Sequence, residues 1–311
     1  MSRQEIRYED QDHMRLDLFL SQQFAEQGYT RSYWTNMIRG SFVHVNESDV
    51  KPGAKLTAGD EITIMWPEVD RSYADSVQIL YDDDDVLVCN KPAGMLTHSK
   101  GAFNPEYSFA DFIASFVDFP ESDEPNTRAG VVHRLDRHTS GVLVAAKHPE
   151  ALKTLQKQFE SRTAHKTYVA VIEGRLNESV LRIDIPLDRD RKNPKRRAPS
   201  ADGKEAITNV ADLAQIDDVS LVALKPVTGR THQLRVHLSH IGHPIFNDVL
   251  YGAREQDLGE RFLLHAYSLE IVLPNGNQQT FVAPMPEDMS SYITDEDRLS
   301  QSIEDAFTAS K

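Results

Sequence analysis

Apolar residues return every fourth position in "MRLDLFLSQQF", so Leu16, Leu20 and Phe24 share one side of a helix. A second short helix fits "SYWTNMIRG", with Ser32 as candidate N-cap and Gly40 just past its end. The period then drops to two. "FVHVN" alternates as a strand, and "LTAGDEITIM" carries a turn followed by another strand. Two helices and short strands predict a compact α/β module over residues 13–66, and "PEVDRSYADS" supplies a linker over 67–76.

From Val77 the pattern changes to strands with occasional helices, which defines a second domain over 77–286. "SVQILYDDDDVLVCNKPAGM" reads as two strands about a polar turn, and residues 101–129 as irregular apart from a helix at "SFADFIASFV". "GVLVAAK" is a buried strand, and "PEALKTLQKQF" a helix that starts at Pro149 and turns Leu152, Leu155 and Phe159 to one face. "HKTYVAVIEG" is a strand with Lys166, Tyr168 and Ala170 on one face and Val169 and Val171 on the other. "THQLRVHLSHIG" is a helix that buries Leu234, Leu238 and Ile241 and ends at Gly242. Residues 287–311 read as an acidic tail, either a surface helix or disordered.

Composition adds class rather than chemistry. In 311 residues, 40% hydrophobic and 26% charged, no apolar run approaches the ~20 residues of a membrane span. The first residues lack the apolar core of a signal peptide, so a cytoplasmic, membrane-free protein is expected. Cys89, the single cysteine, lies within "VLVCNKP" and reads as a small buried hydrophobe. The net charge of −14 argues against a polyanionic partner, but its distribution is uneven. Acid gathers in "DDDD" (82–85), "DFPESDE" (118–124) and the tail, whereas "RDRKNPKRR" (189–197) sets six bases against one acid in a proline-containing loop. Such a run is either a solvated surface or a polyanion contact.

Candidate chemistry centres on "HRLDRHTSG", where Asp136 lies between Arg134 and Arg137 ahead of an apolar strand. A surface turn with a weak salt bridge would give the same spacing. What favours a site is the company Asp136 keeps: a second arginine cluster, "GRTHQLR", at a helix start, and Tyr168 on a nearby strand face. A carboxylate working in a partly dry site gains from a guanidinium partner, because arginine cannot lose its charge. His232, His237, His240 and His243 fall close together, but their spacing lacks the three convergent ligands of catalytic zinc. Phosphate or backbone contacts are the simpler use for them.

"RLDLFL", "TRSYWTNMIRGSFVHVN" and "VKPGAKLTAGDEITI" resemble the alpha-L, or S4-type, RNA-binding domain. The resemblance implies an RNA-facing surface that carries Arg15, Arg31, Arg39 and Lys51. "NKPAGMLTH", "HRLDRHTSGVLVAAK", "HKTYVAVIEG", "GRTHQLRVHLSHIGHPIFNDVLYG" and "RFLLHAYSLEI" resemble the RluA-type family of pseudouridine synthases, in family order from about Val77 to Pro286. That family implies an α+β fold: a central mixed, largely antiparallel sheet flanked by helices and loops, here preceded by the small α/β RNA-binding domain. It also implies that uridines in RNA are isomerised without metal or cofactor. Asp136 would be the essential aspartate, attacking C1′ or deprotonating C2′. Tyr168 would stack on the flipped base and help remove the C5 proton, and Arg235 would pair with Asp136. Arg134 and Arg230 would contact substrate, and Leu263 would pack in the pocket. Ribosomal RNA is the favoured partner, transfer RNA a possible one, and a monomer is expected. A flipped base costs a few kcal/mol, of which aromatic stacking returns ~1–3 kcal/mol. Phosphate contacts from 189–197 would position the strand without reading it. Two rival readings are an RNA glycosidase, which normally needs a second carboxylate, and a non-catalytic RNA-binding assembly factor.

Overall fold

A computed structural model describes residues 2–27, 29–67, 71–98, 106–119, 130–293, 295 and 297–308. The chain divides into two compact units, Met1–Asp75 with Leu96–Ser115 and Phe119–Ala129, and Ser76–Met95 with Phe116–Asp118 and Gly130–Lys311. Parts of two expected segments, 68–70 of the linker and most of 101–129, lie outside the described residues.

The first unit runs β1 (Ser2–Arg7), α1 (Leu16–Gln23), α2 (Arg31–Arg39), β2 (Val43–Val45), β3 (Ser48–Asp49) and β4 (Glu61–Trp66). Its antiparallel sheet has the order β1-β4-β2-β3. Leu16, Leu20 and Phe24 are buried as their spacing requires, against Trp34, Met37, Ile62 and Ile64. Two local expectations change. The unit begins well before residue 13, because β1 pairs along the whole of β4. Its sequence, SRQEIR, is too polar to show a period, as suits a strand at a sheet edge. The α2 cap is Thr30 rather than Ser32: Thr30 is extended and its hydroxyl accepts the Tyr33 N–H. Arg15 and Arg31 both bond the carboxylate of Asp17, which is only 2% exposed. The same unit contains α3 (Phe109–Ile113), which opens on a reciprocal Ser108–Asp111 capping box.

The second unit continues with β5 (Gln78–Asp82), β6 (Val86–Lys91), β7 (Ser140–Ala146), α4 (Pro149–Glu160), β8 (His165–Glu173), β9 (Val180–Asp184), β10 (Leu187–Arg189), β11 (Arg197–Pro199), β12 (Ile207–Ile216), β13 (Val219–Pro226), α5 (Gln233–His240), β14 (Leu264–Val272), β15 (Gln278–Val282), α6 (Glu287–Ser290) and α7 (Leu299–Thr308). Its large sheet has the order β5-β6-β7-β14-β8-β13-β12-β9, with β15 also paired to β14. Only the β7–β14 pairing is parallel, so the sheet is mixed and largely antiparallel. β10 and β11 form a separate hairpin.

The apolar run in β8 follows from burial on both faces. Ala170 and Ile172 pack with Leu234 and Leu238 of α5, and Val169 and Val171 pack with Met289, Leu299 and Ile303. Those last three residues belong to the stretch expected to be an acidic tail. The i, i+4 pair Leu299 and Ile303 is buried, and each such side chain contributes ~1.5–3 kcal/mol. The stretch therefore packs as part of the unit, and its Asp288 pairs with Arg261.

Candidate active site

Asp136 occupies a turn closed by the Thr139 N–H bonded to the Asp136 carbonyl, between buried Leu135 and the start of β7. The Thr-Ser-Gly that ends this segment has a structural reason. Gly141 has φ +115, and a Cβ there would stand 2.2 Å from the Ala266 carbonyl oxygen. Only glycine lets β7 and β14 meet in register at Ser140–His265 and Gly141–Ala266. Ser140 Oγ also meets Nδ1 of His265, whose pKa burial pushes down to about 4. The turn is fixed by two basic side chains, the fully buried Lys91 and the largely buried Arg261. Lys91 Nζ donates to the carbonyls of Pro92, Met95 and Arg137 at 2.8, 2.9 and 3.1 Å. Arg261 donates to the carbonyls of His138, Phe262 and Leu264 and pairs with Asp288.

α5 brings the partner charge. Arg235 Nη1 faces Asp136 Oδ2 at 3.3 Å, while its Nε and Nη2 fork onto Asp248 at 2.6 and 2.8 Å. The guanidinium lies 4.2 Å from the Phe262 ring centroid and 4.9 Å from that of Tyr251. His232, which precedes α5 in a left-handed conformation at φ +58, places Nε2 3.8 Å from Asp136 Oδ1. The approach to α5 is rigid because all four hydrogen-bonding positions of buried Gln233 are used. It accepts from Thr228 and Arg230 and donates to the Ile207 carbonyl and Thr208.

These elements wall a cleft of about 440 Å³. Asp136, Tyr168, Arg235, Arg134 and Arg230 all line it, as do His133, Phe159 and Lys166. Burial raises the Tyr168 hydroxyl well above its ordinary value, and the charge of Asp136 adds to that rise. His133 stacks on Phe159 at 4.5 Å and accepts the Val144 N–H, and burial drives its pKa down to about 3. Leu263 is not a cleft residue. It is fully buried on the Val169 and Val171 side of the sheet, and its neighbour Leu264 lines the cleft instead. A shift of one position in extended chain changes the face.

The arginines expected beside Asp136 have different roles. Arg134 is exposed on the cleft wall, and Arg137 meets Lys91 through its carbonyl. The clustered histidines have separate uses: His237 bonds Thr208 and the Ile185 carbonyl, and His243 bonds the Glu173 carbonyl. Cys89 is buried, and its thiol is pushed up to about 12 by that burial. Sequence reasoning missed Asp248, Gln233, Tyr251, Lys91 and Arg261 as parts of the site. The only available signal was that each falls inside one of the motif blocks.

The basic run forms the hairpin β10–β11 and its connection. Arg189, Arg191, Lys192 and Lys195 are exposed there, while Arg196 lies 5.2 Å over the Tyr251 ring.

Residues 85–240 match the model of the RNA pseudouridylate synthase family. The chain is 34% identical over 290 residues to an uncharacterised RNA pseudouridine synthase, YlyB, of Bacillus subtilis, covering 92% of this chain and 95% of that one. It is 35% identical to the ribosomal large subunit pseudouridine synthase D of Borreliella burgdorferi, covering 88% and 87% respectively. Among solved structures it is similar to human RNA pseudouridylate synthase domain containing 1, with a TM-score of 0.60 at 26% identity, over 74% of this chain and 96% of that one. Among the described residues no helix is long and apolar enough to cross a membrane.

Proposed function

Since the chain belongs to the RNA pseudouridylate synthase family and is an RNA pseudouridine synthase, an isomerase, we propose that it acts on large-subunit ribosomal RNA through Asp136, Tyr168 and Arg235. The observation that carries the residue assignment is the Asp136–Arg235 pair at 3.3 Å in the cleft that Tyr168 also lines. The substrate assignment is supported by the relative named for the ribosomal large subunit, which aligns along 88% of this chain.

A stacked uridine cannot offer C1′ and C5 to a recessed carboxylate, so the nucleotide is flipped into the cleft. The Tyr168 ring receives the base, and Arg134 and Arg230 hold the flanking backbone. Asp136 acts at the ribose, either on C1′ or on the C2′ proton, and the C1′–N1 bond breaks. The uracil turns, C5 bonds C1′, and the C5 proton leaves while N1 gains one. Atoms and electrons balance without a redox partner. Arg235 holds Asp136 in place throughout.

The test is pseudouridine mapping of total cellular RNA from cells that lack the protein, complemented with wild type or Asp136→Asn. Large-subunit ribosomal RNA should lose one or more pseudouridines, restored by wild type and not by the variant. A lost site in transfer RNA instead would overturn the substrate, release of free uracil would point to a glycosidase, and restoration by Asp136→Asn would remove Asp136 from the chemistry.

A further inference from the structure

A line of polar contacts runs from the basic hairpin to the carboxylate. The hydroxyl of Tyr251, a residue 3% exposed, accepts the backbone N–H of Arg197 in β11 at 2.9 Å and lies 2.8 Å from His232 Nδ1. The other ring nitrogen of His232 stands 3.8 Å from Asp136 Oδ1. Donor chemistry orders this line. A backbone N–H can only donate, so the phenol oxygen accepts from Arg197. Among the described contacts, the phenol's own hydrogen then has His232 Nδ1 as its acceptor. In a neutral imidazole an accepting Nδ1 leaves the proton on Nε2, the nitrogen that faces Asp136. The carboxylate favours the same tautomer, since an Nε2 lone pair would repel it, but at 3.8 Å the contact is longer than a hydrogen bond and does not by itself fix the proton. Burial lowers the pKa of His232, with the charge of Asp136 opposing, and so favours the neutral ring.

We propose that Tyr251 is a positioning residue that locks His232 in its Nε2–H tautomer and thereby gives Asp136 Oδ1 an N–H neighbour, Oδ2 being faced by Arg235. The inference rests on the reading of Asp136 as the reacting carboxylate. It makes the carboxylate a two-point fixture, with each oxygen turned toward one donor of α5 or its cap. It also links the site to the hairpin, because the chain of donors starts at the backbone of Arg197 and the Arg196 guanidinium covers the same phenol ring. A hairpin seated on phosphates would hold the tyrosine, the tyrosine the histidine, and the histidine the carboxylate.

Tyr251→Phe in the full chain tests this. It removes the hydroxyl and keeps the ring beneath both guanidiniums. With ¹⁵N-histidine labelling, the wild-type His232 signal, identified by its loss in His232→Gln, should report protonated Nε2 and bare Nδ1. In Tyr251→Phe the two nitrogens should move toward averaged positions. On substrate RNA, the single-turnover rate at saturation should fall about fivefold or more, the worth of one hydrogen bond, with half-saturation little changed. Glutamine at 232 carries its own N–H independently of the phenol, so adding Tyr251→Phe to His232→Gln should cost no more than about twofold further. A wild-type Nδ1–H tautomer, an unchanged tautomer in Tyr251→Phe, or an equal rate loss in both backgrounds would overturn the proposal. Wild-type protein that makes no pseudouridine in any RNA would instead sink the functional reading, and the nitrogen signals would still decide the tautomer.

Discussion

Asp248 grips Arg235 more closely than Asp136 does. Its two oxygens take Nη2 and Nε at 2.8 and 2.6 Å, whereas Asp136 meets Nη1 at 3.3 Å. Asp248 is 2% exposed and Arg235 6%. A fork of two charge-assisted bonds sets the plane of the guanidinium and leaves one nitrogen pointing at the cleft. Arg235 therefore keeps its orientation toward Asp136 without depending on that longer contact.

Replacing Asp248 should consequently damage both stability and turnover. Asp248→Asn keeps the shape but leaves Arg235 with Asp136 as its remaining described anionic partner. Breaking a buried pair by removing one charge costs ~3–5 kcal/mol, and the amide's residual hydrogen bond should bring this to the lower end. Urea unfolding should show that loss, and single-turnover assays should show a fall well beyond tenfold. Asp136→Asn, by contrast, should lose turnover with little change in the urea midpoint. Equal midpoints for Asp248→Asn and wild type would mean that the fork is not what holds Arg235.

The environment of Tyr168 sharpens its expected role. Burial, with the charge of Asp136 adding, raises the hydroxyl well above its ordinary pKa. The sign matters: a raised tyrosine pKa keeps the group as a neutral O–H across the working range, so it can hydrogen-bond but not serve as a standing phenolate. Tyr168→Phe should bind RNA normally and lose most turnover. The wild-type rate should also show no rise between about pH 8 and about pH 10 that the variant lacks, a range in which an unperturbed tyrosine would begin to ionise. Such a rise in wild type alone would show a phenolate at work.

How much of this was legible in the sequence depends on what each residue needs in order to be recognised. The helix face of Leu16, Leu20 and Phe24 follows from periodicity alone and is buried where expected, and β8 occupies the strand read at "HKTYVAVIEG". Asp136 and Arg235 lie 99 residues apart, and motif resemblance rather than spacing placed them together. Asp248 carried no signal beyond its place in a motif block, because its fork on Arg235 depends on how the chain turns after α5. Leu263 was assigned to the cleft from its motif, but face is decided by register, and the register put Leu264 there. The acidity of residues 287–311 hid two well-spaced apolar positions, Leu299 and Ile303, that tie the end of the chain to the core.

Lys91 gives a pH-dependent stability signal. It is fully buried, and that burial, reinforced by Arg261, pulls its ammonium from 10.5 down to about 7. Below about 7 both folded and unfolded chains hold the proton, and this group adds no slope. Between about 7 and 10.5 the unfolded chain holds a proton that the folded chain has shed, so stability rises with pH. Lys91→Met should be less stable overall, since three carbonyls lose their donor, and it should lack that rise. The check is the difference in urea unfolding free energy between wild type and variant, followed from neutral to alkaline pH. A difference that widens as pH rises is the expected result, and a constant one would mean that Lys91 stays charged in its carbonyl cage.

The hairpin should carry more of the electrostatic affinity for RNA than residues 1–70 do. Arg189, Arg191, Lys192 and Lys195 are exposed on it, whereas Arg196 is engaged with Tyr251. In the first unit, Arg15 and Arg31 already share Asp17, so part of their charge is answered within the protein. On single-stranded RNA, each phosphate that the protein no longer neutralises removes ~0.7 from the slope of log affinity against log salt. Neutralising the four exposed hairpin residues should therefore flatten the slope by up to about 3 units if each meets one phosphate. Removing residues 1–70 should flatten it less, raise the half-saturation concentration and leave the single-turnover rate at saturating RNA nearly unchanged. Salt titrations of the two variants beside wild type separate the surfaces. If the truncation flattens the slope more than the hairpin variant does, the principal phosphate-binding surface lies on the first unit, and the negative charge of Asp17 does not offset its arginines.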